Sequence, residues 1–133
     1  MAALLRDRGE LVTGCARSLE SVEQLQLAGL QGRRIDLDSA GAPPGWAAGF
    51  REIFYFAPPP AEGEDDPRMC RFLQALNTVR PPRRIVYIST SAVYGDCQGA
   101  WIDESQVTRP TTGRGRRRLD AEQQLTAWCG RHG

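Results

Sequence analysis

The sequence contains no lysine: all 17 of its basic residues are arginine. That excludes Schiff-base chemistry and any mechanism that relies on a lysine ammonium. Its single histidine, His132, stands next to the last residue, and the four cysteines, Cys15, Cys70, Cys97 and Cys129, are far apart with no CxxC pair. No zinc pattern arises from these spacings, and the thiols read as buried or idle. No apolar run approaches the length of a membrane span, and the short apolar patch of MAALLRDRGE is interrupted by charge, so neither a span nor a signal peptide is expected. With 17 basic against 16 acidic residues the formal charge is only +1, which gives no global field for nucleic acid. The expectation is a soluble, cytoplasmic protein that acts on a small molecule, with no nucleic-acid or membrane partner. Oligomeric state, a homo-oligomer included, is not readable.

What is present is an alternation of short strands and helices in 133 residues, 41% of them hydrophobic, enough for one domain with a core. AALLRDR at 2–8 patterns as the end of an amphipathic helix stopped by Gly9. ELVTGC at 10–15 predicts a strand, and Ser18 can cap a helix over SLESVEQLQLAG. RRIDLD at 33–38 predicts a second strand, followed by the link GAPPGW at 41–46 and a weak helical turn at AAGF. EIFYFA at 52–57 is a strand stopped by three prolines, and AEGEDD at 61–66 reads as an exposed acidic loop. Pro67 suits a first helical turn, with Met69, Phe72, Leu73, Leu76 and Val79 on one face. RIVYIS at 84–89 is apolar enough for a parallel strand covered on both sides, and helical spacing returns from about Gly115 to Cys129.

Strand–helix alternation predicts an α/β domain with a mostly parallel sheet, and such folds gather ligands at the carboxyl ends of their strands. Arg17, Asp36, Ala57 to Pro59 and Ser89 to Ser91 each end or follow a predicted strand. The stretch IVYISTSAVYGDCQGAWIDES, residues 85–105, runs a strand into a hydroxyl cluster, a VYG turn and an acidic pair. In this order the chain resembles the extended and atypical branch of the short-chain dehydrogenase/reductase superfamily, which includes NAD-dependent epimerases and dehydratases of nucleotide sugars.

The resemblance implies a partial Rossmann-like, doubly wound parallel sheet over residues 1–133, an NADP (or NAD) cofactor, and a small-molecule substrate such as a nucleotide sugar. It places Thr90 where a hydroxyl polarises the substrate oxygen, with Ser89 and Ser91 as flanking substitutes; a fixed dipole there stabilises charge that develops on oxygen. Strand-end hydroxyls equally serve free backbone groups. Arg17 falls where an acid would favour the ribose hydroxyls of NAD, and a guanidinium there suits a 2′-phosphate; a solvated arginine at a helix start is the alternative. Asp36 and Leu37 resemble the pair that meets adenine, or an ordinary turn, and Ala57, Pro58 and Pro59 resemble the slight segment beside the cofactor, or a strand stop.

Two departures bear on catalysis. The family's proton exchange uses a Tyr and a Lys four residues apart; here those positions hold Arg114 and Arg118. Arginine stays protonated, so Arg114 is no acid/base, while Arg118 can still offer positive charge to a ribose or phosphate. The run Arg114, Arg116, Arg117 and Arg118 reads as a solvated helix face or a phosphate contact. The first strand and glycine-rich turn of the family have no counterpart ahead of residue 2, which predicts an incomplete sheet that is unstable as a monomer. Three readings follow: an NAD(P)-dependent enzyme or enzyme fragment, catalytically impaired; a non-catalytic nucleotide-binding or regulatory module; a fragment without independent binding.

Overall fold

The computed structural model describes residues 1–39, 43 and 45–132; the predicted link GAPPGW lies partly outside them, at 41, 42 and 44. The chain is α/β, with two small parallel sheets of two strands each. It divides into two compact units, Met1–Pro43 and Pro44–Gly133.

In the first unit, helix α1 (Ala2–Asp7) precedes strand β1 (Thr13–Ala16), helix α2 (Leu19–Leu27) and strand β2 (Gln31–Arg34). Helix α2 starts where expected because Ser18, in extended conformation, accepts the Ser21 N–H at 3.1 Å. β1 and β2 pair in parallel from Thr13 opposite Gln31 to Ala16 opposite Arg34. The helix lies so close to this ladder that a Cβ would press on a movable leucine side chain at one glycine and on the helix backbone at another. A Cβ on Gly14 would come within 2.7 Å of Leu25, and one on Gly32 within 2.8 Å of the Val22 carbonyl. Val22 is the buried residue of α2.

The ladder stops short of the predicted 33–38 strand for a local reason. Asp36 accepts the backbone N–H of Asp38 on its own carboxylate at 2.9 Å, taking a donor that a ladder would use and turning the chain away.

The second unit holds strand β3 (Glu52–Tyr55), helix α3 (Pro67–Leu76), strand β4 (Arg84–Tyr87), a 3-10 turn (Ser91–Tyr94) and helix α4 (Gly113–His132). β3 and β4 pair in parallel, Glu52 opposite Arg84 through Tyr55 opposite Tyr87. Side chains alternate, so Ile53, Tyr55, Ile85 and Tyr87 share one face and Glu52, Phe54, Arg84 and Val86 the other. The first face meets the helices: Tyr55 packs on Phe72 with ring centres 4.8 Å apart, and Met69, Phe72, Leu73 and Leu76 of α3 are buried as the spacing predicted. Ala121 and Trp128 of α4 complete this core, with the Trp128 indole donating to Asn77 at 2.7 Å.

Two expectations change here. The acidic stretch at 61–66 is not wholly exposed: Asp66 is completely buried and caps α3, accepting the N–H groups of Arg68 and Met69 at 3.0 and 3.1 Å. The signal was present as Asp before Pro, an N-cap residue followed by the residue best suited to a first turn. Helix α4 begins at Gly113 rather than Gly115 because Thr112 supplies its cap, accepting the Gly115 N–H at 3.1 Å.

Candidate functional site

The carboxyl end of β1 leads into Arg17, whose guanidinium donates to the Asp38 carboxylate at 2.9 Å. The Arg17 carbonyl accepts the Arg34 Nε–H at 3.1 Å, so the backbone of this corner is tied to the end of β2. Arg17 is exposed while Asp36 and Leu37 are half-buried, and Asp36 is spent on holding its own turn. The first unit thus brings Arg17, Asp36 and Leu37 to the same ends of paired strands. Beside them an open cleft of about 340 Å³ is lined by Cys15, Ala16, Ser21, Gln24 and Leu25. Arg17 is an exposed cation with a carboxylate beside it, and neither it nor Asp38 lines the cleft. An incoming anion gains the guanidinium but must displace Asp38.

In the second unit the chain leaves β3 through Phe56 to Ala57, Pro58 and Pro59, and leaves β4 through Ile88 to Ser89, Thr90 and Ser91. The Pro58 carbonyl accepts an Arg68 guanidinium N–H at 2.8 Å, which fixes the proline segment to α3. Thr90 is extended and caps the 3-10 turn, its hydroxyl oxygen accepting the Ala92 N–H at 3.3 Å. Its O–H proton is left to be donated elsewhere. Ser89 Oγ is buried with no hydrogen-bond partner, whereas Ser91 is exposed. The backbone-capping role of Thr90 is therefore observed, and it leaves the hydroxyl's donor function open.

The VYG turn that follows owes its glycine to a close approach. Gly95 has φ +76°, and a Cβ there would lie 2.2 Å from the Arg109 carbonyl oxygen. Arg109 in turn donates its N–H to Val93 at 3.0 Å, so the excursion from Asp96 to Thr108 leaves and returns at one point.

The arginine run on α4 is not a solvated face. Arg117 and Arg118 are buried, Arg116 pairs with Glu64, and Arg117 donates to the Gly63 carbonyl at 2.6 Å; Arg114 alone of the four is exposed. Arg117 thus satisfies a backbone carbonyl of the 61–66 loop and Arg116 the Glu64 carboxylate, which sequence spacing could not reveal because Gly63 and Arg117 are 54 residues apart. Arg118 reaches the end of β4, donating from Nη1 to the Tyr87 hydroxyl at 3.1 Å and to the Ile88 carbonyl at 2.9 Å. Its Nε is buried without a partner.

Around Arg118 lies a polar cluster that the sequence reading did not single out. Tyr55 and Tyr87 have ring centres 5.9 Å apart, and Tyr55 Oη and Asp66 Oδ2 are buried without hydrogen-bond partners. Burial pushes the Asp66 carboxyl above its ordinary range, opposed by the two N–H groups it caps and by the charges of Arg118 and Arg68. Burial likewise pushes up the Tyr87 phenol, against the hydrogen bond from Arg118, and drives the Tyr55 phenol far above its usual range. Both phenols stay protonated at neutral pH, and the Tyr87 oxygen, while accepting from Arg118, keeps its O–H to donate.

No protein-family model matches the chain, and no curated protein matches it. Among solved structures it is similar to a functionally unknown conserved protein from Silicibacter pomeroyi DSS, with a TM-score of 0.74 and 28% sequence identity. That similarity covers 96% of this chain and 44% of the other, so the chain spans less than half the length of the structure it matches. Among the described residues no helix is long and apolar enough to cross a membrane.

Proposed function

We propose that the chain is a Rossmann-like nucleotide-binding unit of the short-chain dehydrogenase/reductase type that takes the adenosine half of NADP through its first unit. The observation that carries this reading is the exposed Arg17, whose backbone carbonyl is held by Arg34 at the carboxyl end of β1 while its guanidinium pairs with Asp38 at the surface. A guanidinium in that position suits a 2′-phosphate bidentately. Asp36 and Leu37 stand at the end of β2 to meet the base. NAD, which lacks the phosphate, is the weaker ligand on this reading.

The second unit offers the Thr90 hydroxyl, with the exposed Ser91 beside it and the Ser89 hydroxyl buried, to an oxygen of a small-molecule substrate, a nucleotide sugar in the family it resembles. Hydride chemistry of epimerase, dehydratase or reductase type nevertheless lacks its proton-exchanging partner here. Arg114 is exposed and permanently charged, and the Nη1 of Arg118 is engaged by Tyr87 and Ile88. Binding with impaired catalysis is therefore the reading supported best. A non-catalytic regulatory module has the same support from Arg118.

The test is a titration of the purified chain with 2′,5′-ADP, NADPH and NADH, followed by calorimetry. The expected order is NADPH tighter than NADH, with 2′,5′-ADP retaining most of the affinity. Arg17→Ala should weaken NADPH about tenfold or more and leave NADH nearly unchanged. Asp38→Asn, which frees Arg17 and removes a carboxylate from the anion's path, should strengthen NADPH. No binding at millimolar ligand would reject the proposal, and equal losses for both cofactors would remove the preference for NADP.

A further inference from the structure

One face of the β3–β4 ladder carries two rows of a self-complementary pattern. On β3 stand Glu52 and Phe54, directly across from Arg84 and Val86 of β4, with Phe54 and Val86 half-buried, and Phe56 and Ile88 each follow the last paired residue of their strand. The helices of this unit engage the opposite face, through Tyr55 and Tyr87. Phe56 and Ile88 are 51% and 55% exposed, so apolar side chains stand in water at the end of both strands. Phe54 and Phe56 already lean together, ring centres 6.2 Å apart, and Glu52 and Arg84 form an exposed pair at 3.6 Å.

We infer that this face docks on the same face of a second copy of the chain. The charge pattern selects one geometry. A two-fold axis running parallel to the strands, between β3 and β4, sets β3 of one copy over β4 of the other. Glu52 then lies over Arg84 of the second copy, Phe54 over Val86 and Phe56 over Ile88, and every contact occurs twice. Each acid meets a base, and each large ring meets a smaller aliphatic side chain, the large-over-small alternation by which facing layers interdigitate. An axis perpendicular to the strands would instead set the charged row over the Phe56 and Ile88 row. The strands of the two copies run in the same sense, within the range in which sheets pack face to face.

Four apolar side chains per copy make an interface below the roughly 1,200 Å² of stable complexes, so the association is weak and reversible. This inference is independent of the cofactor reading: its failure would leave nucleotide binding untouched.

Sedimentation equilibrium over a wide concentration range tests it. The unmodified chain should pass from monomer to dimer, and Glu52→Arg and Arg84→Glu should each weaken the dimer about tenfold by placing like charges opposite each other. Mixing the two variants in equal amounts supplies an all-basic row to an all-acidic row and should restore association to within about threefold of the original, now as a heterodimer. Ile88→Asp should abolish it. All three positions are exposed, and circular dichroism checks that each variant keeps its fold. A chain that stays monomeric at millimolar concentration overturns the inference. So does a dimer indifferent to the single reversals, or a mixture that fails to associate.

Discussion

One nitrogen of Arg118 holds both the hydroxyl of Tyr87, at 3.1 Å, and the carbonyl of Ile88, at 2.9 Å. The residue that stands where the resemblance expects a cofactor lysine thereby fixes the end of β4, one peptide before the hydroxyl cluster. Replacing Arg118 by Met would leave the carbonyl and the phenol without this donor inside the protein. The loss of stability should be about 3 kcal/mol, measured by urea unfolding. Arg118→Lys should recover only part of it, since the shorter lysine side chain does not carry its ammonium to the place of Nη1, where both acceptors converge. A Met variant as stable as the original would mean that Arg118 holds nothing.

Tyr55 gives the opposite expectation. Its hydroxyl is buried and meets no hydrogen-bond partner, so Tyr55→Phe removes a desolvated group and keeps the ring that packs on Phe72. Stability should stay level or rise by up to about 1 kcal/mol. A clear loss would reveal a partner for the phenol in solution.

Asp66 makes stability depend on pH with a definite sign. Its carboxyl is held above the ordinary range by burial, so between the unfolded and folded values the native state binds more protons than the unfolded chain. Stability from this group therefore falls as pH rises from about 4 through the raised value, rather than increasing as for a salt-bridged acid. Asp66→Asn keeps the cap on Arg68 and Met69 and should flatten that part of the profile. Asp66→Ala should flatten it too, and lower stability by about 1 kcal/mol at acid pH through loss of the cap. Urea midpoints of the three proteins across this range decide it.

Gly95 is the turn residue that the fold cannot replace. Alanine there must adopt a positive φ and place its Cβ against the Arg109 carbonyl, so Gly95→Ala should cost about 2 kcal/mol or more. Gly99 also has a positive φ but open space around it, and Gly99→Ala should cost less, about 1 kcal/mol. Equal costs for the two would show that the contact with Arg109 does not matter.

The sequence by itself determined the alternation of strands and helices, because periodicity, caps and prolines act over a few residues. Ser18 before α2, Pro67 at the start of α3 and the apolar face of Met69, Phe72, Leu73 and Leu76 were all readable in this way. It also settled that these 133 residues offer no lysine. Only the tertiary structure decided the fate of the α4 arginines and of Asp66. The cap that Asp66 forms is local, but its burial is not, and the buried arginines depend on partners brought by distant segments, the carbonyls of Gly63 and Ile88. Such partners lie tens of residues away along the chain, and spacing along a sequence carries no information about what folding brings to that distance.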